Sequence, residues 1–178
     1  MAECVPGMTT LLFEFQPGQG DEDVLKAWLK RRLFLSPSPS PNGRGECGSA
    51  GEENCLHEIP VHYHGPDLER VAEHAGLPVA EVIECHSTAE YRVDLIGFAP
   101  GFPYLDGLDP RLATPRLDKP RLRVEAGSVA IGGTHTGIYS LPGPGGWNVI
   151  GHTEVVLFDP TTARCLLAPG DRLRFIPQ

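Results

Sequence analysis

The sequence lacks the motifs of an enzyme that uses nucleotides or hydrolyses bonds by itself. It contains no G-x-x-x-x-G-K-[ST] phosphate loop, no G-x-S-x-G nucleophile elbow, no H-E-x-x-H zinc motif and no dinucleotide fingerprint between a predicted strand and a predicted helix. Ser128 lies in a run of small residues, but no histidine and acid partner is identifiable for it. These absences favour a component of a larger enzyme, or a binding module, over an enzyme that acts alone.

Cysteine pairs are also absent. The five cysteines are scattered, and none belongs to a C-x-x-C motif. A disulfide framework or a zinc site is therefore not expected, and a reducing cytoplasm is the expected location. His62 and His64 share one face of a predicted strand, but no further ligands stand at metal-binding spacing, so the sequence predicts no metal site.

Positive charge is scarce, because 15 lysines and arginines stand against 23 acidic residues. Binding to nucleic acid or to anionic membranes is therefore not expected. The N-terminus has no basic stretch followed by an apolar one, so a signal peptide is not expected. Residues 126–153 contain no Asp, Glu, Lys or Arg, but eight glycines and two prolines interrupt them, which argues against a membrane span.

The few cationic side chains are concentrated in one basic segment, residues 111–123, which holds five of the fifteen. They are Arg111, Arg116, Lys119, Arg121 and Arg123. Prolines precede Arg116 and Arg121 and stiffen the backbone that presents them. Guanidinium groups held in this way suit the capture of a carboxylate or phosphate. Two interpretations stay open: an anion site, or arginines that pair with the surplus acids or face solvent.

Abundant glycine and proline, at 21 and 18 residues, together with few helical patterns, predict a mainly β fold with some α structure. Residues 9–15 predict a strand, and Asp21 is a candidate N-cap of a following helix. The low-complexity stretch 36–54 predicts a flexible linker. We therefore place a partial α/β unit at residues 1–35, a linker at 36–56 and the main domain at 57–178.

The main domain is predicted to contain a strand at 57–64, two helices near 68–75 and 79–86, and a strand at 91–96. Residues 97–123, with their Pro-Gly turns, are predicted to form a loop region. Six short strands are predicted after Arg123. They cover residues 128–131, 137–141, 147–150, 155–158, 165–167 and 172–176. Many short strands at such intervals are typical of a closed or nearly closed barrel.

Several motifs occur together in order from about residue 57 to the C-terminus. They are GFAPGFPYLDGL, ATPRLDKPRLRV, AGSVAIGGTHTGIY, PGGWNVIGHT and APGDRLRF. With these motifs the chain resembles the B-subunit family of 5-oxoprolinase, also known as allophanate hydrolase subunit 1 and as the inhibitor of a sporulation histidine kinase. The resemblance implies a cyclophilin-like β-barrel at 57–178, preceded by a small α/β unit of which the first half is missing.

The resemblance also implies a hydrolase component that is active only in a complex. Together with the C subunit, which carries a related barrel, and with the A subunit, it would open 5-oxo-L-proline to L-glutamate with ATP as co-substrate. Arg116 and Arg121 match the P-R-x-x-x-P-R positions of the family and are the candidate anion ligands. Tyr104, Tyr139 and Trp147 are candidate walls of the pocket, for which ordinary core packing is the alternative. His135 and His86 are the candidates for proton transfer.

Two other functions remain open at this point. The first is a regulatory module that inhibits a sensor histidine kinase, which the shortened N-terminal unit favours. The second is an allophanate-hydrolase-type subunit. For His86, which lies at the end of a predicted helix, capping of the last carbonyl groups is the alternative to catalysis.

Overall fold

The computed structural model describes the backbone of residues 3–6 and 11–14 and all of residues 56–178. The chain divides into two compact units, Met1–Ser49 and Ala50–Gln178. In the first unit, strands β1 (Glu3–Pro6) and β2 (Leu11–Glu14) pair antiparallel. Strand β2 lies inside the strand predicted at 9–15. The predicted helix after Asp21 and the linker up to residue 55 lie outside the described residues, so those boundaries stay predictions.

The second unit is mostly β structure with two short α-helices. Its strands are β3 (Leu56–Val61), β4 (Tyr91–Ile96), β5 (Pro103–Asp106), β6 (Arg121–Val124), β7 (Ser128–Gly132), β8 (His135–Ile138), β9 (Gly143–Gly145), β10 (Asn148–His152), β11 (Phe158–Asp159), β12 (Arg164–Cys165) and β13 (Arg172–Pro177). Its helices are α1 (Leu68–Ala75), α2 (Val79–Thr88) and a 3-10 turn at Pro110–Leu112. Among the described residues, no helix is long and apolar enough to cross a membrane.

Seven strands form one sheet in the order β10-β7-β8-β5-β4-β13-β3. Strand β13 runs parallel to β3, and the other pairs are antiparallel. The two outer strands of this order approach each other, because His62 and His152 exchange two backbone hydrogen bonds of 2.9 Å. The sheet therefore forms a nearly closed barrel, as predicted.

Both predicted helices are present in this unit. Leu68, Val71 and Ala72 are the buried residues of α1, and the helix ends at Gly76, whose φ of 66° lies in the left-handed region that glycine tolerates. Helix α2 begins directly after Pro78, which precedes its first turn. Here the spacing of the apolar residues was sufficient to predict the structure.

The predicted loop region 97–123 was wrong in part. Strand β5 lies in the middle of the main sheet, between β4 and β8, and β6 pairs with β9 in a separate two-stranded sheet. Proline begins β5, a strand position at which its missing N–H is tolerated, and glycine and proline make up all of β9. Strands β5 and β9 were therefore not predicted, because they contain residue types that are typical of turns.

The sheet carries two separate hydrophobic clusters because side chains alternate along its strands. Val129 and Ile131 of β7 contribute to the large inner core, whereas Ala130 between them belongs to an outer cluster. The buried members of the outer cluster are Phe102, Val124, Ala130, Tyr139, Trp147 and Val149. A site next to this outer cluster therefore opens away from the main core.

Candidate functional site: an aromatic cleft beside an exposed arginine

A small cleft of about 70 Å³ opens at the outer cluster. It is lined by Phe98, Phe102, Tyr104, Arg116, Tyr139, Gly145, Gly146 and Trp147, and is called the aromatic cleft below. Four predicted site residues meet there: Tyr104, Arg116, Tyr139 and Trp147. Tyr104 comes from β5 and Arg116 from the basic segment, whereas Tyr139 directly follows β8 and Trp147 directly precedes β10, so only the folded sheet brings them together.

Phe102 forms the base of the aromatic cleft and is 2% exposed. Its ring lies 5.1 Å from that of Tyr104, 5.3 Å from that of Tyr139 and 5.4 Å from that of Trp147, centroid to centroid. All three contacts are edge-to-face, the arrangement that aromatic quadrupoles favour. This packing fixes the walls of the cleft. The rings of Tyr104, Tyr139 and Trp147 therefore pack in the outer cluster and line the cleft at the same time.

Two glycines allow the large rings to lie against the backbone. A Cβ atom at Gly132 would collide with the Trp147 indole, and one at Gly145 would collide with the Tyr139 hydroxyl. Gly143, on the same strand as Gly145, has open space at the corresponding place. The aromatic cleft therefore depends on a close approach between ring and backbone at particular positions of β7 and β9.

Phe98 forms the outer edge of the cleft. Its side chain is 63% exposed, and its φ of 68° lies in the left-handed region, where a bulky residue is strained. Phe98 and Phe102 are close to Tyr104 in the chain but were not among the site residues predicted from the sequence. An exposed ring held in a strained conformation identifies this edge as part of the candidate site.

Arg116 is the cation of the aromatic cleft. It is exposed, and its guanidinium carbon lies 5.7 Å from the centroid of the Trp147 ring, within the range of a cation–π contact. Among the described residues, no carboxylate lies within 4.0 Å of this guanidinium. Arg116 thus keeps its hydrogen-bond donors available for an incoming anion.

The hydroxyl groups of Tyr104 and Tyr139 stay protonated at neutral pH. Burial raises the pKa of Tyr104, and the nearby Arg116 charge offsets only part of that effect. Burial likewise raises the pKa of Tyr139, against the opposing effects of the Trp147 backbone N–H and of Arg116. The aromatic cleft therefore presents neutral O–H groups beside one positive charge.

The other three arginines of the basic segment are paired. Arg121 donates two hydrogen bonds of 2.8 Å to the two carboxylate oxygens of Asp67. Arg111 lies 2.8 Å from Asp109, and Arg123 lies 2.7 Å from Glu125. Pairing with acids, one of the two interpretations left open by the sequence, therefore describes these three.

Asp67 explains why Arg121 does not line the cleft. Its carboxylate is nearly fully buried, and it also accepts a 2.8 Å hydrogen bond from the Val149 backbone N–H. Arg121 thus neutralises a buried charge between β6 and β10. The assignment of Arg121 to anion binding stays a prediction, although both of its terminal nitrogens already donate to Asp67. Asp67 was missed in the sequence because nothing near it indicated a partner 54 residues away.

The two candidate histidines lie in different surroundings. His135 is half-buried at the start of β8, with its ring 6.5 Å from that of Tyr104 at the edge of the cleft. His86 is fully buried in the main core, where its Nδ1 lies 2.8 Å from the Tyr63 hydroxyl and its Nε2 lies 2.9 Å from the Thr136 hydroxyl. The structure brings His135 near the aromatic cleft and does not bring His86 there.

The surroundings of His86 favour its neutral form. Its ring stacks on Phe175 at 4.6 Å, and burial lowers its pKa to about 3. Both ring nitrogens lie within hydrogen-bond distance of hydroxyl groups, so this histidine links α2 to Thr136 of β8 and to Tyr63, two residues after the end of β3. Among the described residues, no three His, Cys, Asp or Glu side chains come together as a metal site.

Comparison with known proteins supplies the family. Residues 1–168 match the family model described as the carboxyltransferase domain, subdomain C and D. The chain is 56% identical to the B subunit of 5-oxoprolinase from Escherichia coli O157:H7, over 100% of this chain and 78% of that protein. It is 48% identical to the B subunit of 5-oxoprolinase from Bacillus subtilis strain 168, over 67% of this chain and 51% of that protein.

A solved structure supports the same relationship. The chain resembles a conserved uncharacterized protein of Pyrococcus horikoshii, PH0987, with 40% identity and a TM-score of 0.67 over 99% of this chain and 78% of that one. The chain is shorter than each of these relatives. Its sequence identity and its fold together show that it belongs to the B-subunit family of 5-oxoprolinase.

Proposed function

We propose that this chain is a non-autonomous subunit of an ATP-dependent 5-oxoprolinase, which converts 5-oxo-L-proline to L-glutamate together with the C and A subunits. The observation that carries the proposal is the exposed Arg116 guanidinium, which lies over Trp147 in a cleft that is too small to enclose a nucleotide and a second substrate. Relatives named as B subunits of 5-oxoprolinase support the reaction class.

The reaction explains the need for a cation. The lactam of 5-oxoproline is a poor electrophile, so transfer of the ATP γ-phosphoryl group to the lactam oxygen would activate the ring carbon. Water then adds to that carbon, the carbon–nitrogen bond breaks to release the amine, and a second water releases phosphate from the acyl phosphate. Every stage carries a carboxylate and a phosphoryl group, whose negative charges require fixed positive partners.

The residues of the aromatic cleft suit these tasks. Arg116 would bind either the carboxylate of the substrate or the phosphoryl group during its transfer, through two parallel hydrogen bonds from its guanidinium. Tyr104, Tyr139 and Trp147 would pack against the flat ring and exclude water from it. His135 is the proposed group for proton transfer, since His86 is buried and both of its ring nitrogens have partners.

The size of the cleft supports the need for a partner. Its volume of about 70 Å³ is well below the roughly 300–1,000 Å³ typical of sites that enclose a drug-sized ligand. A nucleotide and a second substrate would need further surface. We propose that the C subunit supplies it and that Phe98, at the exposed edge of the aromatic cleft, contacts the shared centre.

The test is reconstitution from the purified proteins. We expect ATP-dependent glutamate formation from 5-oxo-L-proline when this chain is combined with its C and A partners, and none from this chain alone. Turnover by the isolated chain would refute its assignment as a non-autonomous component. Absence of glutamate formation with the correct partners, when each partner is active with the Escherichia coli relative of this chain, would refute the reaction.

A further inference from the structure

The backbone on one side of Arg116 is held by a buried side chain. The amide of Asn148, which is fully buried, donates a 3.0 Å hydrogen bond from Nδ2 to the carbonyl oxygen of Pro115. The same nitrogen donates a second 3.0 Å bond to the carbonyl oxygen of Ile131 on β7. Asn148 therefore fastens the residue that precedes Arg116 to the main sheet.

The backbone on the other side of Arg116 is held as well. The N–H of Leu117 donates a 2.7 Å hydrogen bond to the carbonyl oxygen of Gly146. Gly146 and Asn148 are the two neighbours of Trp147 in the chain. The residues on either side of Arg116 are thus bonded to the residues on either side of Trp147, which places the guanidinium opposite the indole.

Arg70 fixes the orientation of the Asn148 amide. From helix α1 it donates to Asn148 Oδ1 and, at 3.3 Å, to the carbonyl oxygen of Pro115. Because Oδ1 accepts from a guanidinium, the NH₂ group of the amide must face the two carbonyl oxygens. A reversed amide would place Oδ1 against both carbonyls and leave the Arg70 bond unmade.

We propose that Asn148, oriented by Arg70, is a positioning residue that holds Arg116 over Trp147 and so sets the geometry of the anion site. This inference rests on the proposed function for its catalytic consequence. Its structural part concerns only contacts within this chain. The two parts can therefore fail separately.

The structural part is tested in the isolated chain by amide hydrogen exchange. We expect Asn148→Ala and Arg70→Met each to accelerate exchange of the Leu117 amide about tenfold or more relative to the Val129 amide in the core strand β7, whose exchange reports any loss of global stability. Arg70 is exposed on α1, so Arg70→Met should fold even if Asn148→Ala does not.

Arg92→Met, at an exposed arginine of β4, is the matched control and should leave the exchange rate of the Leu117 amide unchanged. Unaltered exchange at Leu117 in both variants would overturn the proposal.

The catalytic part is tested in the reconstituted complex by a double-mutant cycle. Asn148→Ala should lower kcat/KM about tenfold in the presence of Arg116 and should lower it no further in an Arg116→Ala background, because it acts through that arginine. Equal losses in both backgrounds would show that Asn148 does not act through Arg116. If Arg116→Ala alone has no effect, the anion role in the proposed function fails, while hydrogen exchange at Leu117 still decides the structural part.

Discussion

Arg116 and Arg121 each follow a proline in the same basic segment, and their surroundings are opposite. Arg116 is exposed over Trp147 with no described carboxylate within 4.0 Å, whereas Arg121 has both of its terminal nitrogens on the buried Asp67. The candidate histidines divide in the same way, with His135 at the edge of the aromatic cleft and His86 in the core. The difference teaches that in each pair one member is available to a ligand and the other stabilises the fold.

The largest expected loss of stability follows removal of Arg121. Arg121→Met leaves the Asp67 carboxylate buried, with the Val149 N–H as its only partner in the described part of the chain. We expect the free energy of unfolding to fall by about 2–3 kcal/mol, less than for a fully buried pair because the Arg121 side chain is 32% exposed. The measurement is urea unfolding followed by circular dichroism.

Arg123→Met is the matched control, on the same strand and with the same substitution. Its partner Glu125 is as exposed as Arg123 itself, so solvent replaces the interaction. We expect no loss of stability outside the error of the measurement. If Arg121→Met were as mild as Arg123→Met, Arg121 would be available to a ligand and the contrast with Arg116 would disappear.

The second expected effect is a pH dependence that arises from His86. Its pKa is about 3 in the folded chain and about 6.5 in the unfolded chain, so the unfolded state binds the extra proton between these values. The stabilisation is complete above pH 6.5 and is lost as the pH falls. Between neutral pH and pH 5 the free energy of unfolding should fall by about 2 kcal/mol from this group.

The pH dependence is isolated by comparing two histidine variants. His86→Gln should remove most of the slope between pH 6.5 and pH 5, because glutamine does not titrate. His135→Gln, the same substitution at the edge of the aromatic cleft, should leave the slope in place. An unchanged slope in His86→Gln would mean that His86 can be protonated without unfolding, contrary to its enclosed position.

A smaller effect is expected from the close approach of Gly145 to Tyr139. Gly145→Ala places a methyl group against the tyrosine hydroxyl and should destabilise the chain by about 1 kcal/mol, because the ring can relieve part of the clash by moving within the aromatic cleft. Gly143 lies on the same strand, and an added Cβ there meets no atom of the described residues within 4 Å, so Gly143→Ala should be tolerated. Equal thermal stability of the two variants, measured by calorimetry, would show that the Tyr139 side chain can move aside without destabilising the chain.

The sequence predicted both helices because their apolar spacing is regular, as in Leu68, Val71 and Ala72 of α1. It predicted the barrel because many short strands follow one another at short intervals. The resemblance to the B-subunit family of 5-oxoprolinase also supplied four residues that line the aromatic cleft, Tyr104, Arg116, Tyr139 and Trp147. It could not distinguish Arg116 from Arg121, because the distinction depends on Asp67, which only the folded sheet brings near. Strands β5 and β9 were missed because local residue preference for turns was overridden by pairing in the sheet.

The most direct test of the account measures activity and stability together for Arg116→Gln. In the reconstituted complex we expect kcat/KM for ATP-dependent glutamate formation to fall about 100-fold or more, because the cation that binds the anion is lost. The melting temperature of the isolated chain should stay within about 2 °C of the unsubstituted protein, since Arg116 is exposed and makes no described ion pair. Full activity in this variant, or a loss of activity that is matched by a loss of folded protein, would contradict the claim that Arg116 completes a shared active centre.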